Sequence, residues 1–511
     1  MAGDAPAGQA SIFQVARCRI PLLLGSALLG VLAYPNLNWH LLIWVALVPV
    51  FACALVRGPR QALADGWLHG LVFFTLLLRW LDHTFRTYSV MPWPLTWLPI
   101  LGLAGYCGLY TGLVAAGVSW LRCRLGPAPS LAAAPVLWIA GEWVRGHALS
   151  GFPWGLLGYS QAFALPVIQI AEWTGVYGVS FLVASVNSAL AGAAVLGWRR
   201  AARGLAGAAA LVLLALVAGW QALAAVVDDS LRIAVVQPSI DQARKWDMAM
   251  LTRTLEVHRD LTLEATRTSA RLVIWPETAI PLLLREDPAL LGRLRGLAAE
   301  VGAPLVVGGI DGDRAGRRYF NSAFFLTERG IEAKYDKIHL VPFGEYVPLS
   351  GVLGFVRGWG EFISELVPGR TPVVFPFREA PFGVVICYEG LFPELFREFV
   401  AKGARLMVNI TNDAWFGETS GPWQHLSVLP LRAVENRVAI ARSANTGVSA
   451  VIEPSGRVRQ TLGLFRRGML GDSVPRSSRT TFYTRYGDAF AYACLGLALA
   501  TVAWAVSRRA G

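Results

Sequence analysis

Lysine is scarce in this chain. Only four of its 46 basic residues are Lys: Lys245, Lys334, Lys337 and Lys402. Arginine carries the generic positive charge, so a Lys inside a motif is informative. Charge of either sign is sparse too, at 16% of residues against 54% hydrophobic. With 511 residues, 19 Trp and a mean hydropathy of +0.47, this excludes an ordinary soluble protein and points to a membrane class. Cysteine is also rare. Cys18, Cys53, Cys107, Cys123 and Cys494 lie in or beside apolar runs, which leaves Cys387 alone in the long polar region without a disulfide partner there. The absence of a Cys-x-x-Cys pair or a Cys/His cluster excludes a zinc site. The net charge of +12 does not make a nucleic-acid surface, because the basic residues pair up at the ends of apolar runs rather than alternating with aromatics.

Long apolar runs are what the chain has instead. They cover roughly 20–34, 37–56, 66–81, 93–121, 131–144, 165–198 and 205–227, with an eighth at 488–506. A helix needs about 20 residues to cross a bilayer, so the pattern predicts about eight transmembrane helices. Arg17 and Arg19 precede the first run, but without a small-residue cleavage site it reads as an uncleaved span. Placing the N-terminus inside puts eleven Arg on inside segments and only Arg86 and Arg145 on short outside loops. That positive-inside bias sets residues 228–486 on the outer side. The expected organisation is a tail at 1–16, a seven-helix membrane domain at 17–228, a catalytic domain at 229–484, and an eighth helix with an inside C-terminus at 485–511. Arg79, Asp82, His83, Glu142, Arg145, Glu172, Trp143, Trp154 and Tyr159 are expected mostly at membrane interfaces.

From Leu231 the pattern changes. Leu231–Gln237, Arg271–Trp275, Pro304–Ile310, Gly383–Ile386, Leu406–Thr411, Val438–Asn445 and Val448–Pro454 read as strands. Asn321–Thr327 and Gly330–Asp336 read as a hairpin, and 286–300, 391–402 and 424–437 as helices. Strands interleaved with helices predict a layered α/β domain.

Three polar residues follow these strands. Glu277 stands in Trp275-Pro276-Glu277-Thr278, just past a strand end, where Pro276 imposes an extended turn. Lys337 and Glu345 stand in Lys334-Tyr335-Asp336-Lys337-Ile338-His339-Leu340-Val341-Pro342-Phe343-Gly344-Glu345-Tyr346. Cys387 closes the β-branched run Val384-Val385-Ile386 and precedes Tyr388-Glu389. A thiol at a strand-to-turn junction is exposed and held still, as a nucleophile should be. A carboxylate can take its proton, and a compact ammonium can stabilise the oxyanion that follows, with backbone N–H groups after Cys387.

These residues resemble the Glu–Lys–Cys triad of the nitrilase (carbon–nitrogen hydrolase) superfamily, and Asn409-Ile410-Thr411-Asn412-Asp413-Ala414-Trp415-Phe416-Gly417 resembles its strand and loop after the nucleophile. That resemblance covers about 231–472 and implies an αββα sandwich. Combined with seven spans before and one after, the whole chain resembles the apolipoprotein N-acyltransferase family of bacterial inner membranes. The resemblance implies an extracytoplasmic, periplasmic catalytic domain and no metal or organic cofactor. It implies a phospholipid acyl donor, typically phosphatidylethanolamine, and a lipoprotein acceptor whose N-terminal S-diacylglyceryl-cysteine offers its α-amine. Glu277, Lys337 and Cys387 would be catalytic. Trp246 (covering the acyl entrance), Glu345, Tyr388 and Glu389 would support them. Residues 348–369 form an apolar, Gly-punctuated insertion expected to act as a membrane-facing lid. Two rival readings are a membrane-tethered amidase with the same triad, and a transporter or receptor carrying an inactive domain of this type. Eight spans argue against the first, and an intact triad against the second.

Overall fold

The computed structural model describes residues 18–224, 230–242, 245, 247–313, 318–348, 351, 354, 366–476 and 479–508. The chain forms two compact units: Met1–Arg79, Thr96–Ala224 and Asp488–Gly511 make the first, while Trp80–Leu95 and Ala225–Gly487 make the second.

The first unit is helical. Four of its helices are long and apolar enough to cross a membrane by length and composition: Trp97–Leu125, Val176–Leu196, Trp198–Leu223 and Ala489–Ser507. Counting Pro59–Leu77 and Leu81–Tyr88 as one bent span gives a fifth. The other apolar runs form shorter or broken helices. The first is only Arg19–Leu32, and the run at 37–56 divides into His40–Leu42, Ile43–Ala46 and Val48–Val56. Pro127–His147 carries Pro135, Glu142 and Arg145 within its length. Glycine turns the chain between neighbours: Gly126 at φ +88° joins Trp97–Leu125 to Pro127–His147, and Gly197 at φ +86° joins Val176–Leu196 to Trp198–Leu223. Pro59–Leu77 and Trp97–Leu125 approach through small residues. A Cβ on Gly108 would lie 2.7 Å from the Leu71 nitrogen.

Buried charge in this unit departs from the interfacial expectation. Glu142 accepts from the Trp138 indole at 3.0 Å and from the Leu157 N–H at 2.8 Å. Arg145 donates to the carbonyls of Phe152 (2.8 Å) and Trp154 (2.6 Å). Both side chains are buried, because they satisfy the backbone of a loop folded into the bundle rather than snorkelling outward.

The second unit is built on two sheets. One contains β1 (Ser230–Gln237), β2 (Val273–Ile274), β3 (Ile280–Leu283), β4 (Leu305–Asp313), β5 (Arg318–Thr327), β6 (Gly330–Asp336) and β12 (Gly468–Pro475), in the order β12-β1-β2-β4-β5-β6 with β3 on β4. The other runs β11-β10-β9-β8-β7, from β7 (Phe382–Ile386), β8 (Leu406–Thr411), β9 (Ala439–Ala444), β10 (Ser449–Ile452) and β11 (Val458–Leu462). Strands β1, β2 and β4 are parallel, as are β7, β8 and β9. Such strands, buried on both faces, read as continuous apolar runs. Helices Leu251–Ala265 and Pro288–Val301 cover the first sheet through Val257, Leu261, Leu294 and Leu297. Helices Pro393–Ala401 and Leu429–Asn436 pack on the second. The sheets meet across Ser443, whose hydroxyl donates to the Val236 carbonyl at 2.8 Å. The result is a helix–sheet–sheet–helix stack. In such folds, ligands gather beyond the carboxyl ends of the parallel strands.

Residues 80–95 belong to this unit although they lie between apolar runs in sequence. The Trp80 ring meets Phe416 edge-on at 4.5 Å, and the Thr84 hydroxyl donates to the Trp415 carbonyl at 2.8 Å. Helix Leu81–Tyr88 thus backs the loop that follows β8.

Candidate active site

Glu277 lies three residues beyond β2. It can do so because β4 passes directly behind it. A Cβ on Gly308 would come within 2.7 Å of the Glu277 Cα, so any side chain there would displace the acid. Trp275 anchors the turn from below: it is fully buried, and its indole donates to Thr262 at 2.8 Å.

Lys337 follows β6 and is also buried. Its Nζ donates to Glu345 Oε1 at 2.9 Å and to Glu277 Oε1 at 3.4 Å. Asn321 on β5 bridges the same two oxygens, at 2.7 Å to Glu277 and 3.1 Å to Glu345. Glu345 Oε2 accepts from the Val341 N–H at 2.8 Å, which closes the intervening loop. Lys245 donates to the Glu277 backbone carbonyl at 3.0 Å. Burial alone would lower the Lys337 pKa, but the carboxylates of Glu345 and Glu277 outweigh it and raise the value, so the ammonium stays charged. At Lys245 burial outweighs the Glu277 charge and brings the value down to about 8.

Cys387 ends β7 and opens a 3-10 turn with φ +53°, in the left-handed region that a non-glycine residue rarely occupies. The expectation of an exposed thiol is not met, since Cys387 is only 9% exposed. Burial raises its pKa, and the Glu277 charge adds to that more than Lys337 removes. The resting group is therefore the thiol, and as a nucleophile it would need a base. Glu277 and Lys337 both act electrostatically on it.

Glu389 ties the two halves of this site together. Its Oε1 accepts from the Ile338 N–H (2.6 Å), the His339 N–H (3.1 Å) and the Tyr335 hydroxyl (2.7 Å), and its Oε2 from the Ile386 N–H (2.7 Å). Burial pushes its pKa up to about 7 against those donors. The loop carrying Lys337 and the strand carrying Cys387 are thereby fixed to one carboxylate. Tyr388 meets Phe392 edge-on at 5.1 Å, and Phe392 stacks on His339. Trp246 and most of the insertion at 348–369 lie outside the described residues.

Several residues beside these were not singled out from sequence. Asn321 is one. A second group gathers where β8 and β9 end: Asp413 and His425 after β8, and Arg442 on β9. Arg442 was visible in principle, because a lone charge in the strand Ala439–Ala444 of otherwise small or apolar residues implies a buried partner. Ligating atoms of Cys387, Asp413 and His425 lie within 4.8 Å of one another. A dication there would sit beside the Arg442 guanidinium, which is 2.6 Å from Asp413 Oδ2, so the charge set suits an ion pair rather than a metal.

Comparison with known proteins agrees with this architecture. Residues 26–189 match the family described as Apolipoprotein N-acyltransferase N-terminal domain, and residues 232–482 match Carbon-nitrogen hydrolase. An apolipoprotein N-acyltransferase of Geobacter metallireducens is 36% identical over 95% of this chain and 94% of its own length. Its counterpart in Bradyrhizobium diazoefficiens is 33% identical over 93% and 90%. Among solved structures, an amidase from Nesterenkonia sp. AN1 aligns with a TM-score of 0.41 and 24% identity, over 53% of this chain and 99% of that one. With relatives this similar along nearly the whole sequence, the chain belongs to the apolipoprotein N-acyltransferase family, and its second unit is a carbon–nitrogen hydrolase domain.

Proposed function

We propose that the chain transfers a fatty acyl group from a membrane phospholipid to the α-amine of an N-terminal S-diacylglyceryl-cysteine on bacterial lipoproteins, through a thioester on Cys387. The observation that carries this reading is the buried ammonium of Lys337, paired with Glu277 and Glu345 and acting on a protonated Cys387 thiol. In the first half-reaction Glu277 takes the thiol proton as Sγ bonds to the ester carbonyl carbon. The Lys337 ammonium and the Tyr388 N–H stabilise the oxyanion. The C–O bond to glycerol then breaks, and Glu277 returns the proton to the leaving oxygen, which gives lysophospholipid. In the second half, the acceptor nitrogen attacks the thioester and loses a proton to Glu277. The C–S bond breaks and the sulfur takes that proton back. The sum is ester plus amine to alcohol plus amide. Asn321 and Lys337 both occupy Oε1 of Glu277, which leaves Oε2 to receive the proton.

Glu345 holds the Lys337 amine and Glu389 positions the loops. Phosphatidylethanolamine is the donor. No metal or organic cofactor takes part. The chain crosses the inner membrane eight times: a tail at 1–16, seven spans within 17–228, the catalytic domain at 229–484 on the periplasmic side, and the last span within 485–511. The Arg bias of the connecting segments supports this orientation.

Mass spectrometry of purified protein given phosphatidylethanolamine and no lipoprotein tests the reading. One acyl group on Cys387 with one equivalent of lysophospholipid is expected, discharged by a diacylglyceryl-cysteine peptide and absent in Cys387→Ala. Loading that requires both substrates together, or transfer by Cys387→Ala, would sink it.

A further inference from the structure

The left-handed backbone of Cys387 has to be held by something, since an L-residue disfavours it. The contact on its carbonyl comes from His425. The ring Nε2 lies 3.1 Å from the Cys387 oxygen. A carbonyl can only accept, so Nε2 carries a hydrogen. This holds whether the ring is neutral, with Nδ1 accepting from Arg442 Nη2 at 3.2 Å, or charged, with Nδ1 donating to Asp413 Oδ1 at 3.0 Å.

The ring in turn is fixed by a buried chain of partners. Asp413 accepts from the Thr411 hydroxyl at 2.8 Å and from Arg442 Nη2 at 2.6 Å. Arg442 also donates to the Asn409 side-chain oxygen and, at 3.1 Å, to the Val448 carbonyl. His425, Asp413, Thr411 and Arg442 are each 1% exposed or less. Three strand ends therefore converge on one carbonyl. A buried ion pair is a weak device for stability alone. This one ends on the peptide group that follows the nucleophile.

We propose that His425 is a positioning residue for acyl transfer: by donating to the Cys387 carbonyl it fixes the Cys387–Tyr388 peptide plane, and with it the direction of the Tyr388 N–H. In a planar trans peptide the C=O and N–H point in opposite directions, so pinning the first aims the second. A rotated plane would cost the oxyanion one donor and misdirect Sγ. The inference rests on the reading of Cys387 as nucleophile.

The test uses full-length protein in mixed phospholipid micelles and follows acyl loading of Cys387 by intact-mass spectrometry across lipid concentrations, with Tm alongside. His425→Gln keeps an amide N–H where Nε2 stood. His425→Asn is shorter and cannot reach the carbonyl. The expected result is a maximal loading rate about 10²-fold lower for His425→Asn, the scale of one lost oxyanion donor. Its half-saturating lipid concentration should stay unchanged, and His425→Gln should restore the rate to within about tenfold. Wild-type loading by His425→Asn, equal losses in both variants, or losses that follow Tm would each overturn the proposal. His425→Gln also decides alone, because a loss well beyond tenfold at unchanged Tm overturns it even if His425→Asn fails to fold. Cys387→Ala is the control for the underlying reading: transfer by that variant removes the nucleophile assignment, whereas normal loading by His425→Asn removes only the role of His425.

Discussion

Two clusters of buried polar groups, one in each unit, are held to different degrees. In the catalytic unit the carboxylates of the site are multiply bonded: Glu277 Oε1 holds two donors, and Glu389 holds four. In the helical unit, His69 is 3% exposed, yet neither ring nitrogen has a hydrogen-bond partner among the described residues. Glu142 uses Oε1 twice and leaves Oε2 unbonded. Both line a cavity of about 30 Å³, room for about two waters. A carboxylate held by several fixed donors has one low-energy arrangement, whereas groups left to small mobile partners have several. Direction is thus specified at the carboxylates of Glu277 and Glu389 and left loose around His69 and Glu142.

That contrast can be broken at its strongest point with Lys337→Arg. The guanidinium keeps the charge but is planar and larger, so it cannot occupy the position between Glu277 and Glu345 as a point donor. Loading of Cys387 should fall about 10²-fold or more in protein that still folds and inserts. Near-normal loading would show that the position is tolerant and the network is not directional. Next in size is acid stability. Burial alone would raise the Asp413 pKa, but Arg442 and His425 outweigh it and hold the value at about 2, against the usual 3.8. Stability from the ionised group is then complete above pH 3.8 and lost as pH falls toward 2, worth about 2 kcal/mol. Unfolding followed by tryptophan fluorescence should show this loss in the wild type and its absence in Asp413→Asn. Identical pH profiles would remove the ion pair from the account. The smallest effect belongs to His69→Leu, which exchanges an unbonded polar ring for an apolar side chain of similar size. Stability should change by less than about 1 kcal/mol and loading not at all. A drop of several kcal/mol would mean the cavity partners are as well specified as those of the active site.

Much of this was legible in the sequence, for a local reason. Glu277 and Cys387 each follow an apolar run, whose end is visible one residue at a time, and Lys337 follows the mixed strand Gly330–Asp336, where the scarcity of lysine marks it. Asn321 was not, because its importance comes from register. It pairs with Ile310 on β4, beside the chain that carries Glu277, and nothing in Phe320-Asn321-Ser322 reports that pairing. His425 and Asp413 stand twelve residues apart and meet only because the loop after β8 folds back on its own helix. The segment Trp80–Leu95 hid for the opposite reason. It lies among apolar runs, yet its partners Trp415 and Phe416 are more than 300 residues away. In the helical unit, hydropathy shows where apolar residues accumulate but not where a helix breaks, as it does at Gly175 (φ +63°) before Val176–Leu196.

Gly308 has no functional group, yet it governs where the acid stands. The position of Glu277 is set by how closely two backbones can approach, a spacing on the scale of a single methyl group. Position 308 is therefore a control point for chemistry that no inventory of nucleophiles, acids and bases would include. Enlarging it by one carbon would shift the Glu277 carboxylate, the proposed proton acceptor, relative to the Cys387 sulfur while leaving every side chain of the site intact.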